Sequence, residues 1–316
     1  GYAAEFGRST GGVVNAVSKS GSNEFKAGAN VYWEPDWARA ANTNAEAAVD
    51  SSTRADLFER DDLDGNVWAS GPIIKDRLFF FGIYNFQDFE SNNYTQSQNG
   101  AGGQLTRTTN NSPFYGAKID AVISDNHALE YTFIRDENEL IEESADIIYD
   151  GNSIESITFQ EGSGTEFSGG DLHIGKYTGN FGENLKLSLL YGHQTNNQTI
   201  QSSADSSPVI VNSGADIGLP FIAGDWINFQ VSEGDDTREL YRADIDYFVD
   251  DFFGDHQFRF GYDREELTAN DFTINSGGVY WRYEDPAECD AFANRGTSIT
   301  DNHRPGTDCV RRQDYS

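Results

Sequence analysis

The chain has 316 residues with 52 acidic and 22 basic side chains, a formal charge of −30. A field of that sign repels phosphate backbones and argues against a nucleic-acid partner, while 13% aromatic residues argue against a disordered acidic tail. The longest apolar run, Leu78 to Tyr84, is seven residues and includes Gly82. That is short of the roughly 20 a membrane helix needs, but a membrane-crossing strand needs only about 9–11 residues with one apolar face. The chain begins at Gly1 and contains no Met, so a piece of a longer precursor is expected.

Residues 5–25 read EFGRSTGGVVNAVSKSGSNEF. A basic, Gly-rich turn (Arg8, Gly11, Gly12) leads into the β-rich run Val13, Val14, Asn15, Ala16, Val17. A polar break around Lys19 follows, and a different sheet begins at Phe25.

From there a period-two pattern recurs. Phe25, Ala27, Ala29, Val31 and Trp33 oppose Lys26, Asn30 and Tyr32; Leu63, Val67 and Ala69 oppose Asp64, Asn66 and Ser70. The run 78–89 is apolar on both faces. Tyr115, Ala117, Ile119, Ala121 and Ile123 oppose Lys118 and Asp120, and Leu129, Tyr131 and Phe133 oppose Glu130 and Thr132. A weaker strand lies at 172–178. Leu185, Leu187, Leu189 and Tyr191 oppose Lys186 and Ser188. Tyr241 to Val249 and Phe258 to Tyr262 alternate against Arg242, Asp244, Asp246 and Arg259. No run fits a helical stripe as well, so the chain is all-β with about nine strands.

The connections alternate in length. Short turns are predicted at 71–77, 124–127, 181–184 and 250–256, and long loops at 34–62, 90–113, 136–168, 193–238 and from 265 onward. Short-long parity is the habit of up-and-down outer-membrane barrels; a soluble sandwich places turns every 8–12 residues without it. Aromatics near the strand ends suit interfacial girdles.

The 5–25 string resembles the plug-to-barrel junction of TonB-dependent outer-membrane receptors, most of all their Oar-like branch. The string GPIIKDRLFFFG at 71–82 is also similar to that branch. The resemblance implies the end of a plug domain at 1–22, followed at 23–316 by the first part of a transmembrane antiparallel barrel, with about nine of an expected 22 strands. It implies residence in the outer membrane of a Gram-negative cell, among its lipids. It further implies energy from the TonB complex through a segment outside this chain, and import of a siderophore, oligosaccharide or peptide. The rival readings are a passive porin-like channel, a secreted acidic β-protein (either a glycan-binding module or a glycosidase), and a surface adhesion or protein-export role within the same fold.

The chain has no G-x-S-x-G, H-E-x-x-H or P-loop, and no catalytic residues are assigned. Trp37, Trp226, Trp281 and Tyr283 are placed in loops, where they would stack on a ligand or pack on one another. Asp61, Asp62 and Asp64, beside Gly65, offer clustered oxygens without the full calcium-loop pattern, and the 136–168 segment carries ten acidic residues and no basic one. Both read as solvated charge or as Ca2+ sites; no other cofactor is expected. Cys289 and Cys309 lie 20 apart without metal-type spacing, open to a disulfide or to two free thiols.

Overall fold

A computed structural model describes residues 19–40, 42, 51–97, 101–203, 209–212, 222–223, 230–249, 253–276, 280–284 and 309–313. The strands are β1 (Lys26–Glu34), β2 (Ser51–Thr53), β3 (Glu59–Ile74), β4 (Leu78–Ser97), β5 (Gly102–Asn110), β6 (Phe114–Ser124), β7 (His127–Arg135), β8 (Asn138–Asp150) and β9 (Ser153–Phe159), then β10 (Gly164–Gly169), β11 (Asp171–Phe181), β12 (Leu185–Ser202), β13 (Val209–Asn212), β14 (Ile222–Ala223), β15 (Gln230–Val249), β16 (His256–Asn275), β17 (Tyr280–Glu284) and β18 (Cys309–Gln313). Two 3-10 turns, Asp36–Ala38 and Ala55–Leu57, interrupt the path between β1 and β3.

Several of these strands are halves of longer ones. On β4, Asn85 pairs with Phe114 of β6 and Phe89 pairs with Asn110 of β5, so the register runs through the 111–113 break unshifted. The same continuity joins β7 to β8 (Tyr115↔Arg135, Asn110↔Leu140) and β10 to β11 (Asn138↔Ser168, Arg135↔Asp171). What remains is a simple antiparallel meander of nine staves: β1, β3, β4, β5/β6, β7/β8, β10/β11, β12, β15 and β16. The nine predicted strands are the lower halves of these staves.

At one end the staves are joined by short turns at 75–77, 125–126 and 182–184. Two of them hold residues in the left-handed region, Asp76 (φ 62°) and Gly182 (φ 70°), as tight hairpins require. At the other end the expectation of long loops is corrected. Segments 90–113 and 136–168 are mostly ladder, because β4 runs to Ser97 and β5, β8, β9 and β10 fill the rest. Likewise β12 extends to Ser202, β15 begins at Gln230 and β16 continues to Asn275. Most of these extensions, such as β12 beyond Gly192 and β15 before Leu240, are largely polar on both faces, so they lack the alternation that marks a strand with one apolar side; backbone pairing in water does not need it.

The buried apolar residues among those described sit in this extension, not in the lower wall. Tyr94, Leu105 and Ala145 form one rung across β4, β5 and β8, with Ile147 and Tyr149 beside them and Leu57 and Ile154 packed on top. Each large side chain buried here contributes about 2 kcal/mol. Arg54 ties the 51–58 segment onto the cluster. Its guanidinium donates to both Asp56 carboxylate oxygens at 2.8 Å, to Gln96 Oε1 at 2.6 Å and to the Asn152 carbonyl at 3.0 Å, and lies over the Tyr149 ring. Burial and the neighbouring Glu59 carboxylate push the Tyr94 hydroxyl up to about 12, and it donates to Glu59 Oε2 at 3.2 Å. A separate four-stranded sheet has the order β14-β13-β17-β18, with β13 and β17 parallel.

Candidate functional site

The lower wall has two chemically opposite faces. On one, most staves present a run of mainly apolar side chains at every second position: Phe25 to Trp33 entering and along β1, Leu78 to Phe86 on β4, Tyr115 to Ile123 on β6, Leu185 to Tyr191 on β12, Tyr247 to Tyr241 on β15, and Phe258 to Tyr262 on β16. These side chains are open rather than covered: Val31 and Phe260 are each 62% exposed and Tyr262 is 66% exposed. Among the described residues no second sheet lies against this face. A soluble sandwich buries its apolar face against a partner sheet; an uncovered belt of this extent is consistent with the lipid-facing side of a membrane barrel.

The edge of the belt carries a geometric signature. The apolar run ends at Tyr115 on β6 and at Tyr262 on β16, where Pro113 and Arg264 follow. The Tyr262 rung leads back through Ala243, Leu189, Tyr177 and Leu129 to Ala121, six residues lower on β6 after five strand-to-strand steps. Six residues at ~3.3 Å against five steps of ~4.8 Å correspond to a strand tilt of about 40°. Membrane barrels tilt their strands by roughly 35–45°.

The opposite face carries charge. Lys118 Nζ lies 3.3 Å from Asp120 and 3.1 Å from Glu130, and Glu130 also meets Lys176 at 3.3 Å. Further along, Arg242 pairs with Asp244 at 2.7 Å and Arg259 with Asp246 at 2.6 Å. These side chains share one parity along the rungs, so pleating alone gathers them.

The segment entering β1 runs over this charged face and is held at three places. Lys19 Nζ sits 4.7 Å from the centre of the Trp68 ring. Lys118, its side chain only 8% exposed, donates to Ser20 Oγ at 2.9 Å. Asn23 Nδ2 donates to Asp76 Oδ1 at 2.6 Å, and Asn23 Oδ1 accepts from the Asp76 N–H at 2.8 Å, which also fixes the β3–β4 turn. Gly21 lies so close to the wall that a Cβ there would stand 2.5 Å from the Phe80 carbonyl oxygen.

Of the junction residues read from sequence, Lys19 is in this latch, while Arg8, Gly11, Gly12, Val13, Val14 and Asn15 lie outside the described residues. Trp37 is exposed at the end of β1 and meets Trp33 edge-on at 6.1 Å. Trp226 lies outside the described residues; Trp281 and Tyr283 are on strand β17, not in a loop. The aspartates do not converge. Asp61 Oδ1 accepts from the Asp36 N–H at 3.1 Å, whereas Asp62 pairs with Arg60 at 2.8 Å, and strand alternation puts Asp61 on the face away from Asp62 and Asp64. Among the described residues no group of three acidic, His or Cys side chains gathers as a metal site. Cys289 lies outside the described residues, so its relation to Cys309 does too. Sequence reasoning missed Trp68, Ser20, Lys118, Asn23 and Asp76 as a unit. The available signal was modest: a lysine, an aromatic and an asparagine all on predicted polar positions.

No family model matches the chain, and no solved structure matches it. One stretch of 82 residues, 26% of the chain, is 40% identical to the TonB-dependent transporter Oar of Myxococcus xanthus. The matched part spans 8% of that relative's length. The chain therefore contains a region similar to a TonB-dependent transporter, set in a one-sided, tilted β-wall of the barrel type.

Proposed function

We propose that this chain is part of a TonB-dependent outer-membrane transporter of the Oar-like branch, comprising the end of its plug (1–22) and the first staves of its barrel (23–316). The observation that carries the reading is the pairing of an uncovered apolar belt on one face with a latched, plug-like tail on the other. The tail sits where a plug must leave a barrel lumen, at the end with short turns. Further staves beyond β16 close the barrel, and the TonB complex acts through a plug segment outside this chain. The belt contacts outer-membrane lipid, and the protein imports a ligand without catalysing a reaction.

The ligand is a scarce solute such as a siderophore, oligosaccharide or peptide, met first by the polar extension above the belt. The test is uptake in cells carrying the intact protein, after outer-membrane fractionation. The reading expects membrane residence and uptake that stops when the proton gradient is collapsed. Uptake that persists would favour a passive channel with the same wall, and recovery of a soluble monomer would favour a secreted β-protein.

A further inference from the structure

Three neighbouring staves break at adjacent places, at 111–113, 136–137 and 170, although their registers continue. Side chains replace the missing ladder bonds. Glu139 N–H donates to Ser112 Oγ at 2.6 Å, Gly170 N–H to Asp136 Oδ1 at 3.1 Å, and Asp171 N–H to Thr195 Oγ1 at 3.1 Å. Gly169 is left-handed (φ 95°), and a Cβ there would lie 2.3 Å from the Asp136 carbonyl oxygen; at Gly170 a Cβ would lie 2.2 Å from that of Thr195. The breaks are thus built, and they open a cavity of about 550 Å³, within the range of small-molecule sites.

The lining combines two aromatic rings, Tyr115 and Phe167, with the amides Asn111, Asn138 and Asn197, and with Arg135 between carboxylates. Arg135 is already paired with Glu137 and with Asp171 at 3.5 Å, and Glu139 adds a further negative charge. A free anion meets net negative charge here, and an apolar chain would desolvate Arg135, Glu137 and Glu139 along with the amides, of which Asn138 already accepts from Asn110 at 2.6 Å. A neutral sugar satisfies both requirements, with ring C–H faces against the aromatics and hydroxyls toward amide, guanidinium and carboxylate. By parity the rungs of this cavity continue the belt face, and Tyr115 is both the last belt residue of β6 and part of the lining. The cavity therefore opens at the level of lipid headgroups.

We propose that this cavity binds a pyranose headgroup carried by a glycolipid of the surrounding leaflet. The proposal rests on the membrane-wall reading above. The test places the intact protein in phosphatidylcholine nanodiscs with and without a monoglucosyl diacylglycerol, and measures retained glycolipid by native mass spectrometry, with free maltose as a second arm. Wild type should retain the glycolipid in preference to phosphatidylcholine, and Phe167→Ala and Asn197→Ala, each checked for an unchanged melting transition, should weaken retention about tenfold. Absence of any glycolipid preference overturns the proposal, as does maltose binding as tight as glycolipid binding, which would make this a solute site. Failure to enter nanodiscs at all would overturn the wall reading itself, an outcome distinct from entry without preference.

Discussion

The ammonium of Lys118 reaches Ser20 Oγ at 2.9 Å, tying the tail that precedes β1 to a stave 98 residues away in sequence. Lys118 is held in place by Asp120 and Glu130, so the tail is anchored to a fixed charge rather than to a mobile side chain. Ser20→Ala removes one hydrogen bond to a charged group, about 1.5–3 kcal/mol at most, and leaves the ion network intact. The expected outcome is faster trypsin cleavage after Lys19, by about tenfold for each 1.4 kcal/mol lost, with no change in barrel melting. Lys118→Met should accelerate cleavage as well and also lower the melting temperature, because Asp120 loses its cation and Glu130 keeps only Lys176.

Arg54 should be intolerant even of lysine. A planar fork serves Asp56, Gln96 and the Asn152 carbonyl at once, and an ammonium cannot reproduce that geometry. Arg54→Lys is expected to cost about 2–3 kcal/mol locally, seen as faster amide exchange across 51–58 and β9. The staves below should keep their protection.

Glu142 supplies a pH dependence with a definite sign. Burial, and then the charge of Glu166, raise its carboxyl above the ordinary glutamate range. A raised folded-state value means that the folded extension holds its proton to higher pH than the unfolded chain does. The stabilisation is complete below the unfolded value and is lost as pH rises through the folded one. Acidification through that window should therefore strengthen protection of β8 and β10, and Glu142→Gln should flatten the dependence while raising protection at neutral pH.

At Gly65 a Cβ would stand 2.1 Å from the Phe86 ring, its partner across the β3–β4 rung. The ring lies over the bare backbone, an aromatic covering a glycine. Gly65→Val must displace Phe86, and we expect a loss of about 1–3 kcal/mol by urea unfolding in detergent. Gly65→Val with Phe86→Ala should recover part of it.

The belt staves were readable because an apolar face with period two leaves a mark in each of them, from Phe25–Trp33 to Phe258–Tyr262. The extensions were not. β8 and β10 sit in the most acidic stretch of the chain, and the buried alternation of Ala145, Ile147 and Tyr149 on β8 is too short a run to stand out from residues with the composition of a loop. The latch was equally hidden, since Asn23 meets Asp76 across 53 positions and no local pattern records such a meeting. Asp61, Asp62 and Asp64 misled in the opposite direction: adjacency in sequence suggested a cluster, but the pleat separates Asp61 from the other two.

The central claim is that the two faces of one stave meet different media. It is tested most directly by placing a bimane fluorophore at Leu189→Cys and, separately, at Ser188→Cys on β12, in a Cys289→Ser, Cys309→Ser background, and reconstituting the intact protein with lipids brominated in their acyl chains. The account predicts strong quenching at position 189 and little at 188. Equal quenching at the two positions, or the reverse order, would contradict it.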